Sequence, residues 1–199
     1  MIVAVILAAG ESSRMGRPKA LLPIEGVRFI EKIVTSLRAT KVGKIVVVLG
    51  HNAGEMRERI ADLQVTVLIN QDYKQGQLSS LLVAIRDAES AGAGDEVEGI
   101  LVHLVDHPYL SASLVDLMID RFRESKKLIV IPRYRGRGGH PVIFSRSLFT
   151  ELSATPLDQG AKALVRAYRA ETLQIDTEDE GVVVDIDTPE EYRKYVDNP

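Results

Sequence analysis

An α/β fold is predicted by the alternation of apolar runs with helical segments, and the predicted sheet is mainly parallel with some mixed strands. Apolar runs typical of strands buried on both faces occur at residues 2–7, 44–49, 65–69 and 99–105. Apolar residues at helical spacing follow at residues 28–39, 55–63, 77–88 and 114–122. This order indicates crossover connections between parallel strands. Shorter, less regularly interleaved strands, which favour mixed pairing, are predicted at residues 128–131, 141–144, 172–175 and 181–184.

Composition limits the classes of protein to which this chain can belong. The 199 residues fit a single domain, and no repeat or linker divides residues 1–199. The net charge of −3 argues against general nucleic-acid binding, and the absence of cysteine excludes disulfides and thiolate metal sites. The apolar run at the start is too short to span a bilayer and lacks a charged leader. We therefore expect a cytoplasmic protein with neither nucleic acid nor membrane as a partner.

Capping residues mark the beginnings of two helices. Ser111 or Ser113 is a suitable N-cap for the fourth predicted helix. The last helix begins after Thr188, a good N-cap residue, with Pro189 at its first position and Glu191 placed to complete a capping box. Both helices are therefore expected to start at defined residues.

Four other segments are expected to be loops or short helices. Residues 91–98 are rich in glycine, alanine and acidic residues, which is typical of a surface loop. The sequence RYRGRGGH predicts another loop at residues 133–140, and a short helix is expected at residues 145–152. Asp158 is expected to cap a further helix that extends to Tyr168.

Residues 1–23 join a buried strand to a loop of small and cationic residues. Ala8, Ala9 and Gly10 follow the strand, and the loop then carries polar and basic side chains: Ser12, Ser13, Arg14, Arg17 and Lys19. Backbone N–H groups, an arginine fork and a lysine charge are suited to a triphosphate. A solvated basic loop between a strand and a helix is the alternative from composition alone.

Glycine spacing in this loop disfavours two large classes of nucleotide-binding protein. Gly10 and Gly16 are separated by five residues and Lys19 does not directly follow Gly16, so the P-loop pattern fails. The glycine pattern of dinucleotide-binding folds is absent too. P-loop NTPases and dinucleotide-dependent oxidoreductases are therefore disfavoured.

Polar groups also follow other predicted strands. They occur at residues 70–76 and at Asp106, and Asp185 and Asp187 follow the last short strand. Ligands of open α/β sheets bind beyond the C-terminal ends of the strands. We therefore expect these groups to meet the first loop around one ligand.

The segment at residues 7–23, LAAGESSRMGRPKALLP, resembles the N-terminal signature of the MobA-like nucleotidyltransferases. Ala9 makes it similar to the molybdenum cofactor cytidylyltransferase branch, whose LAAG differs from the LAGG of the guanylyltransferases. Further matching blocks follow in the family's order: Asn70-x-Asp72-Tyr73-x-x-Gly76, Ser79-Ser80-Leu81, Val105-Asp106-His107-Pro108, Arg137-Gly138-Gly139-His140-Pro141 and Asp185-Ile186-Asp187-Thr188-Pro189. The resemblance implies a Rossmann-like three-layer sandwich of the nucleotidyltransferase type.

The resemblance also implies roles for the matched residues. Arg14, Lys19 and Asp106 are implied to be catalytic, the two cations by neutralising charge on the α-phosphate and the leaving pyrophosphate. The implied nucleotide site comprises Leu7, Ala8, Ala9, Gly10, Arg14, Lys19, Gln71, Gly76, Ser79, Ser80 and Asp106. Mg²⁺ is the implied cofactor, bound by Asp106 and Asp187, with Asp185 as an alternative ligand.

Each of these roles has a structural alternative. Asp106 could cap the turn before His107-Pro108, and Asp187 could be a structural acid before the capped helix. Ser79 and Ser80 lie at a predicted helix start, where capping is as reasonable as contact with a base.

The loop at residues 133–140 has three arginines, three glycines and no acidic residue, so it suits an anionic second substrate. Acceptor binding is implied for Arg137, Gly139, His140 and, further along the chain, Lys162. The alternatives are a charged surface loop whose glycines only make turns, a hydrogen-bonded structural histidine and a solvated lysine.

The resemblance implies transfer of CMP from CTP to molybdenum-bound molybdopterin, with release of pyrophosphate. The implied partners are CTP, an anionic pterin acceptor and a molybdoenzyme or chaperone. One alternative keeps the reaction but uses another phosphorylated acceptor, such as a sugar phosphate. A second alternative is a non-catalytic nucleotide- or pterin-binding protein. A purely structural protein would leave the polar groups at the strand ends unexplained.

Overall fold

One mixed β-sheet forms the centre of the computed structural model, which describes residues 1–90 and 96–197. The strands are β1 (Ile2–Ala8), β2 (Pro23–Ile24), β3 (Val27–Arg28), β4 (Lys44–Leu49), β5 (Thr66–Ile69), β6 (Gly99–Leu104), β7 (Ile129–Tyr134), β8 (Arg137–Gly138), β9 (Val142–Ser145) and β10 (Thr172–Asp176). The α-helices are α1 (Phe29–Arg38), α2 (Ala53–Arg59), α3 (Gln77–Ser90), α4 (Ala112–Ser125), α5 (Phe149–Ala154), α6 (Lys162–Ala167) and α7 (Pro189–Tyr192). Most of the surface loop expected at residues 91–98 lies outside the described residues.

The sheet is parallel around β1 and mixed beyond β6. Its strand order is β10-β7-β9-β6-β1-β4-β5, with β8 paired to β7 and with β2 and β3 forming a separate pair. Parallel pairs join β1 to β4 and β6, β4 to β5, and β7 to β10. Strand β9 is antiparallel to both β6 and β7. The predicted parallel sheet with mixed strands is therefore confirmed, and the start of β9 lies beside the end of β6.

Helices cover both faces of the sheet, which confirms the expected three-layer α/β sandwich. Ile2 and Ile6 of β1 pack on the side of α1, α2 and α4, whereas Val3 and Val5 pack on the side of α3, α5 and α6. Successive side chains of a strand point to opposite faces, and these four are at most 2% exposed. Burial on both faces explains why β1 is a continuous apolar run instead of an alternating one.

The predicted capping residues are confirmed. Ser111 begins α4, and its hydroxyl accepts a hydrogen bond from the N–H of Leu114 at 3.3 Å. At α7 the hydroxyl of Thr188 accepts from the N–H of Glu191 at 3.3 Å. The Glu191 carboxylate accepts in return from the N–H of Thr188 at 2.9 Å. This reciprocal pair is the capping box that the sequence indicates.

The prediction of a strand at residues 181–184 is wrong, because Glu180–Val183 forms a 3₁₀ turn. The carbonyl of Val182 accepts a hydrogen bond from the N–H of His140 at 2.8 Å, so it does not join a strand ladder. Gly139 lies so close that a Cβ atom at this position would be 2.1 Å from the Val182 carbonyl oxygen. The turn therefore packs directly on the segment between β8 and β9.

The loop predicted at residues 133–140 is partly wrong, because β7 and β8 form a hairpin there. Arg135 and Gly136 make its turn, with φ angles of 46° and 83°. Positive φ at both central residues is what a two-residue hairpin of this kind requires. Pattern reasoning misses the hairpin because its second strand has only two residues, Arg137–Gly138.

The helix expected from Asp158 to Tyr168 begins only at Lys162. Gly160 has a φ of 65°, in the left-handed region, which is incompatible with a helix that begins at Asp158. The short helix expected at residues 145–152 is confirmed as a 3₁₀ turn followed by α5. Within the described residues, no helix combines the length and apolar character needed to cross a bilayer.

Candidate functional site

A cleft of about 360 Å³ opens at the C-terminal ends of β1, β4 and β6. Strands β4 and β6 flank β1, and the helices that lead into them, α1 and α3, pack on opposite faces of the sheet. Open α/β sheets bind ligands at such a point. The predicted nucleotide and metal residues that line the cleft are Leu7, Ala8, Ala9, Gly10, Arg14, Lys19, Gly76, Ser80, Asp106 and Asp187. The structure therefore brings most of the predicted nucleotide site together.

Ser12 holds the loop after β1 in shape. Its φ is 51°, and its carbonyl accepts hydrogen bonds from the N–H groups of Met15 and Gly16, each at 3.0 Å. Its hydroxyl accepts a third hydrogen bond, from the N–H of Lys19 at 3.2 Å. Gly16 has a φ of 71°, a conformation that favours glycine. These contacts fix the backbone that carries Lys19 into the cleft.

Lys19 is only 9% exposed, and its ammonium group contacts two carboxylates. Its Nζ lies 3.0 Å from Asp106 Oδ2 and also donates to Asp187 Oδ1. Arg14 donates to the other oxygen of Asp187. Burial alone would lower the pKa of Lys19, but the charge and hydrogen bonds of the two aspartates raise it above its usual value. Lys19 therefore stays charged at the position where an anionic ligand would enter.

Backbone contacts bring Asp106 and Asp187 together from distant parts of the chain. The N–H of Ile186 donates to the Asp106 carbonyl at 3.0 Å. The N–H of Asp187 donates to the carboxylate of Glu191 at 2.8 Å, next to the capping box of α7. Burial opposes ionisation of Asp187, yet hydrogen bonds from Lys19 and the nearby cations hold its pKa below the usual value. The start of α7 thus positions an ionised carboxylate opposite the end of β6.

Asp106, His107 and Asp185 form a group that can hold a metal ion. One ligand atom from each residue lies within 4.8 Å of the others. Asp106 Oδ1 and His107 Nδ1 are buried and have no hydrogen-bond partner among the described residues. Burial, together with the charges of Asp106 and Asp187, raises the pKa of Asp185 to about 6. This donor set fits a divalent cation, whereas both oxygens of Asp187 are already paired with cationic side chains.

A second cavity, of about 650 Å³, adjoins the cleft. All four predicted acceptor-binding residues line it: Arg137, Gly139, His140 and Lys162. Leu7, Gln77 and Leu104 line both spaces, so the two cavities meet at the ends of β1 and β6. Asp106 faces the first cavity, while His107 and Asp185 face the second. The candidate cation group therefore lies at the junction of the two cavities.

Three histidine rings lie side by side next to this junction. Ring centroids are 5.0 Å apart for His140 and His107, and 6.3 Å apart for His107 and His103. His103 Nε2 lies 2.8 Å from the His107 carbonyl and must donate to it. Burial, with the neighbouring histidines, lowers the pKa of His103 to about 3 and that of His140 to about 4. His140 is therefore neutral at pH 7. It can contact an acceptor substrate through hydrogen bonds but not through charge.

Gln71 and Ser79 are predicted nucleotide residues that do not line the cleft. Gln71 is exposed on the turn after β5. The hydroxyl of Ser79 accepts from the Asn70 side chain at 2.8 Å and donates to the Gly76 carbonyl at 2.7 Å. Ser80 also accepts from Asn70, at 2.9 Å, but it does line the cleft. Ser79 thus ties the turn to the first turn of α3, but it does not cap the helix, because its hydroxyl donates to carbonyl groups.

Polar cleft residues outside the predicted set include Glu11, His51, Asn52, Tyr73 and Gln77. His51 and Asn52 come directly after β4 and Gly50. The rule that ligands bind beyond strand ends applies to β4 as it does to β5 and β6. The sequence therefore contains the signal for His51 and Asn52, in the polar residues that follow the apolar run at residues 44–49.

Two curated relatives cover nearly the whole chain. Molybdenum cofactor cytidylyltransferase of Escherichia coli (strain K12) is 28% identical over 196 residues, which cover 94% of this chain and 92% of that protein. Nicotine blue oxidoreductase of Paenarthrobacter nicotinovorans is 32% identical over 198 residues, which cover 96% and 94%.

Two solved structures and a family model match as well. The crystal structure of Rv0371c from Mycobacterium tuberculosis H37Rv has a TM-score of 0.85 at 29% identity, covering 99% of this chain and 97% of that one. The complex of Rv0371c with manganese has a TM-score of 0.81 at 27% identity, covering 100% and 99%. Residues 4–173 match the model of the MobA-like NTP transferase domain. The chain therefore belongs to the MobA-like NTP transferase family.

Proposed function

We propose that the protein transfers CMP from CTP to molybdenum-bound molybdopterin and releases pyrophosphate. The observation that carries this proposal is the pair of adjoining cavities with Asp106 and Asp185 at their junction. A nucleotide in the cleft and an anionic acceptor in the second cavity would bring their phosphates together there. Family membership supports nucleotidyl transfer, and the Escherichia coli relative supports the choice of CTP and molybdenum cofactor.

In the proposed reaction, a phosphate oxygen of the acceptor attacks the α-phosphorus of CTP. The bond from that phosphorus to the oxygen bridging to the β-phosphate breaks, and this oxygen leaves with pyrophosphate. Lys19 and Arg14 stabilise the charge that moves onto the phosphates, because both cations already point into the cleft. The protein otherwise accelerates the reaction by holding the two reactants in line.

We propose Mg²⁺ as the cation, held by Asp106 and Asp185 with a ring nitrogen of His107 in the same group. Mg²⁺ is usually bound in phosphate-transfer sites by one or two carboxylates together with substrate oxygens. When bound it would supply positive charge that offsets the negative charge of the phosphates. Asp187 is proposed to position Lys19 and Arg14 instead. The manganese complex of Rv0371c supports use of a divalent metal by the family.

Arg137 and Lys162 are proposed to hold the acceptor by their charge, and His140 by hydrogen bonds from its neutral ring. These groups suit any phosphorylated acceptor, including a sugar phosphate. The pterin is therefore the finer part of the proposal and rests on the molybdenum cofactor relative. A molybdoenzyme or a chaperone is the proposed recipient of the product. We also propose that residues 1–199 act as one domain in the cytoplasm.

Pyrophosphate release is the direct test. The proposal expects release from CTP with Mg²⁺ only when molybdenum cofactor is added, and little release from GTP or UTP. If release depends on a sugar phosphate, the reaction is as proposed but the acceptor is a sugar phosphate. Nucleotide binding with no release from any acceptor would instead indicate a non-catalytic binding protein.

A further inference from the structure

Three loops form one wall of the cleft, and they are joined around His51. The N–H of His51 donates to the carbonyl of Ala9 at 3.0 Å. The preceding Gly50 lies against Tyr73, whose Cβ would be 2.6 Å from a Cβ at Gly50. The rings of His51 and Tyr73 meet edge to face, with centroids 6.0 Å apart. His51 follows β4, whereas Asp106, the partner of Lys19, follows β6 on the other side of β1. A nucleotide whose phosphates are held by Lys19 would therefore have room for its base against this wall.

A chain of hydrogen bonds fixes which nitrogen of His51 carries the proton. The Tyr73 hydroxyl donates to Glu11 Oε1 at 3.4 Å, because a carboxylate can only accept. The tyrosine oxygen is then left as an acceptor for His51 Nδ1, which lies 3.2 Å away. Nδ1 must therefore carry the proton, and in a neutral ring Nε2 becomes the acceptor. Among the described residues, nothing is hydrogen-bonded to Nε2.

We propose that His51 Nε2 accepts a hydrogen bond from an exocyclic amino group of the nucleotide base. This inference rests on the proposed function, since it names the class of base that the cleft selects. His51 lines the cleft and is only partly buried, so a ligand can reach its ring. Cytosine, adenine and guanine present amino groups, whereas uracil has a carbonyl where cytosine has its amino group. A uracil oxygen would meet the lone pair of Nε2, and a site built around such a hydrogen bond rejects the analogue that lacks the donor.

CTP and UTP form a matched pair of probes, because their bases differ at this one edge. Dissociation constants are measured by calorimetry on the full chain with Mg²⁺ and no acceptor, near pH 8, where imidazoles are ordinarily neutral. The wild-type protein is expected to bind CTP about tenfold more tightly than UTP, the worth of one hydrogen bond. Tyr73→Phe keeps the ring but removes the hydroxyl. His51→Gln supplies a side-chain amide that can rotate to present either its oxygen or its NH2 group to the base. Both variants are expected to bring the ratio close to one.

Nitrogen-15 NMR of labelled histidine tests the tautomer directly. His51 is expected to carry its proton on Nδ1 in the wild-type protein and to lose this preference in Tyr73→Phe. Tyr195→Phe is the matched control, since Tyr195 does not line the cleft and, within residues 1–90 and 96–197, its hydroxyl is hydrogen-bonded to Lys194 alone. It is expected to change neither the tautomer nor the binding ratio.

The outcomes separate this inference from the proposed function. Equal binding of CTP and UTP by the wild-type protein, or a proton on Nε2, would overturn the role of His51. So would a ratio that stays unchanged in both His51→Gln and Tyr73→Phe. If Lys19→Ala then binds neither CTP nor UTP, the cleft is still the nucleotide site, but His51 does not select the base. A folded wild-type protein that binds neither nucleotide would overturn the proposed function itself.

Discussion

Lys19 Nζ lies 3.0 Å from Asp106 Oδ2, although the two residues are 87 positions apart in the chain. This ion pair connects the loop after β1 to the end of β6, and it is part-buried. A triphosphate that takes up Lys19 would leave Asp106 without its partner, and a cation that binds Asp106 would free Lys19. In the proposed function, the pair would therefore couple binding of the nucleotide to binding of the metal.

Lys19→Met is expected to reduce pyrophosphate release by about 100- to 1,000-fold, the usual effect of removing one preorganised charge at a transition state. The unbranched apolar side chain of methionine fills most of the same space, so circular dichroism should show an intact fold. Lys41→Met is the control, because Lys41 pairs with Asp120 outside the cleft. Near-normal release by the Lys19 variant would exclude the proposed mechanism.

Asp106→Asn and Asp185→Asn are each expected to weaken Mn²⁺ binding by about 10- to 100-fold, measured by electron paramagnetic resonance on the protein without nucleotide. Both residues supply oxygen atoms to the candidate cation group. Asp187→Asn is the informative comparison, because its carboxylate is paired with Lys19 and Arg14. We expect Mn²⁺ affinity to change little in this variant while turnover falls. If Asp187→Asn instead loses the metal and Asp185→Asn keeps it, the second ligand is Asp187.

Arg137→Ala and Lys162→Ala are expected to raise the KM for the acceptor several-fold with little change in the KM for CTP. Both side chains line the second cavity and neither lines the cleft. Arg133→Ala is the matched control from the same hairpin, because its guanidinium is held by Asp176 and Gln174. If all three variants raise the KM equally, the acceptor responds to the overall positive charge of this surface and not to a specific site.

Glu98→Gln is expected to lower stability at pH 7 and to have less effect as the pH falls. Hydrogen bonds from Arg123, at 2.9 Å to each carboxylate oxygen, lower the pKa of Glu98 to about 2. A carboxylate whose pKa is lower in the folded state contributes stability above its unfolded pKa and loses it as the pH falls towards the folded pKa. The pair is partly exposed, so the effect at pH 7 is about 0.5–1 kcal/mol. Urea unfolding of both proteins at pH 7, 4 and 3 measures it, and a constant difference would contradict this role.

The parts of the site that the sequence predicts are those with a local signal. The loop after β1 is local, since its glycines, cations and preceding apolar run lie within residues 1–23. Asp106 is predicted because it follows the apolar run at residues 99–105 directly. The same reasoning applies to β4, which is followed by His51. The sequence therefore contains a local signal for His51 as well.

The rest of the site depends on contacts between distant segments. The proposed preference for Asp185 over Asp187 as the metal ligand depends on the pairing of Asp187 with Lys19 and Arg14, which no local pattern predicts. The turn at Glu180–Val183 has the composition of a strand, but its Val182 carbonyl accepts a hydrogen bond from the N–H of His140, which precedes β9. Apolar content alone cannot tell a strand from a turn whose hydrogen bonds go elsewhere.

Leu7, Gln77 and Leu104 line both cavities, which has a consequence for the end of the proposed reaction. The product is one molecule that occupies both spaces, so its two halves are tethered and each raises the effective concentration of the other. It is expected to bind more tightly than either substrate. Departure of the product would then set the rate of turnover, and a recipient that takes hold of one half would accelerate the cycle.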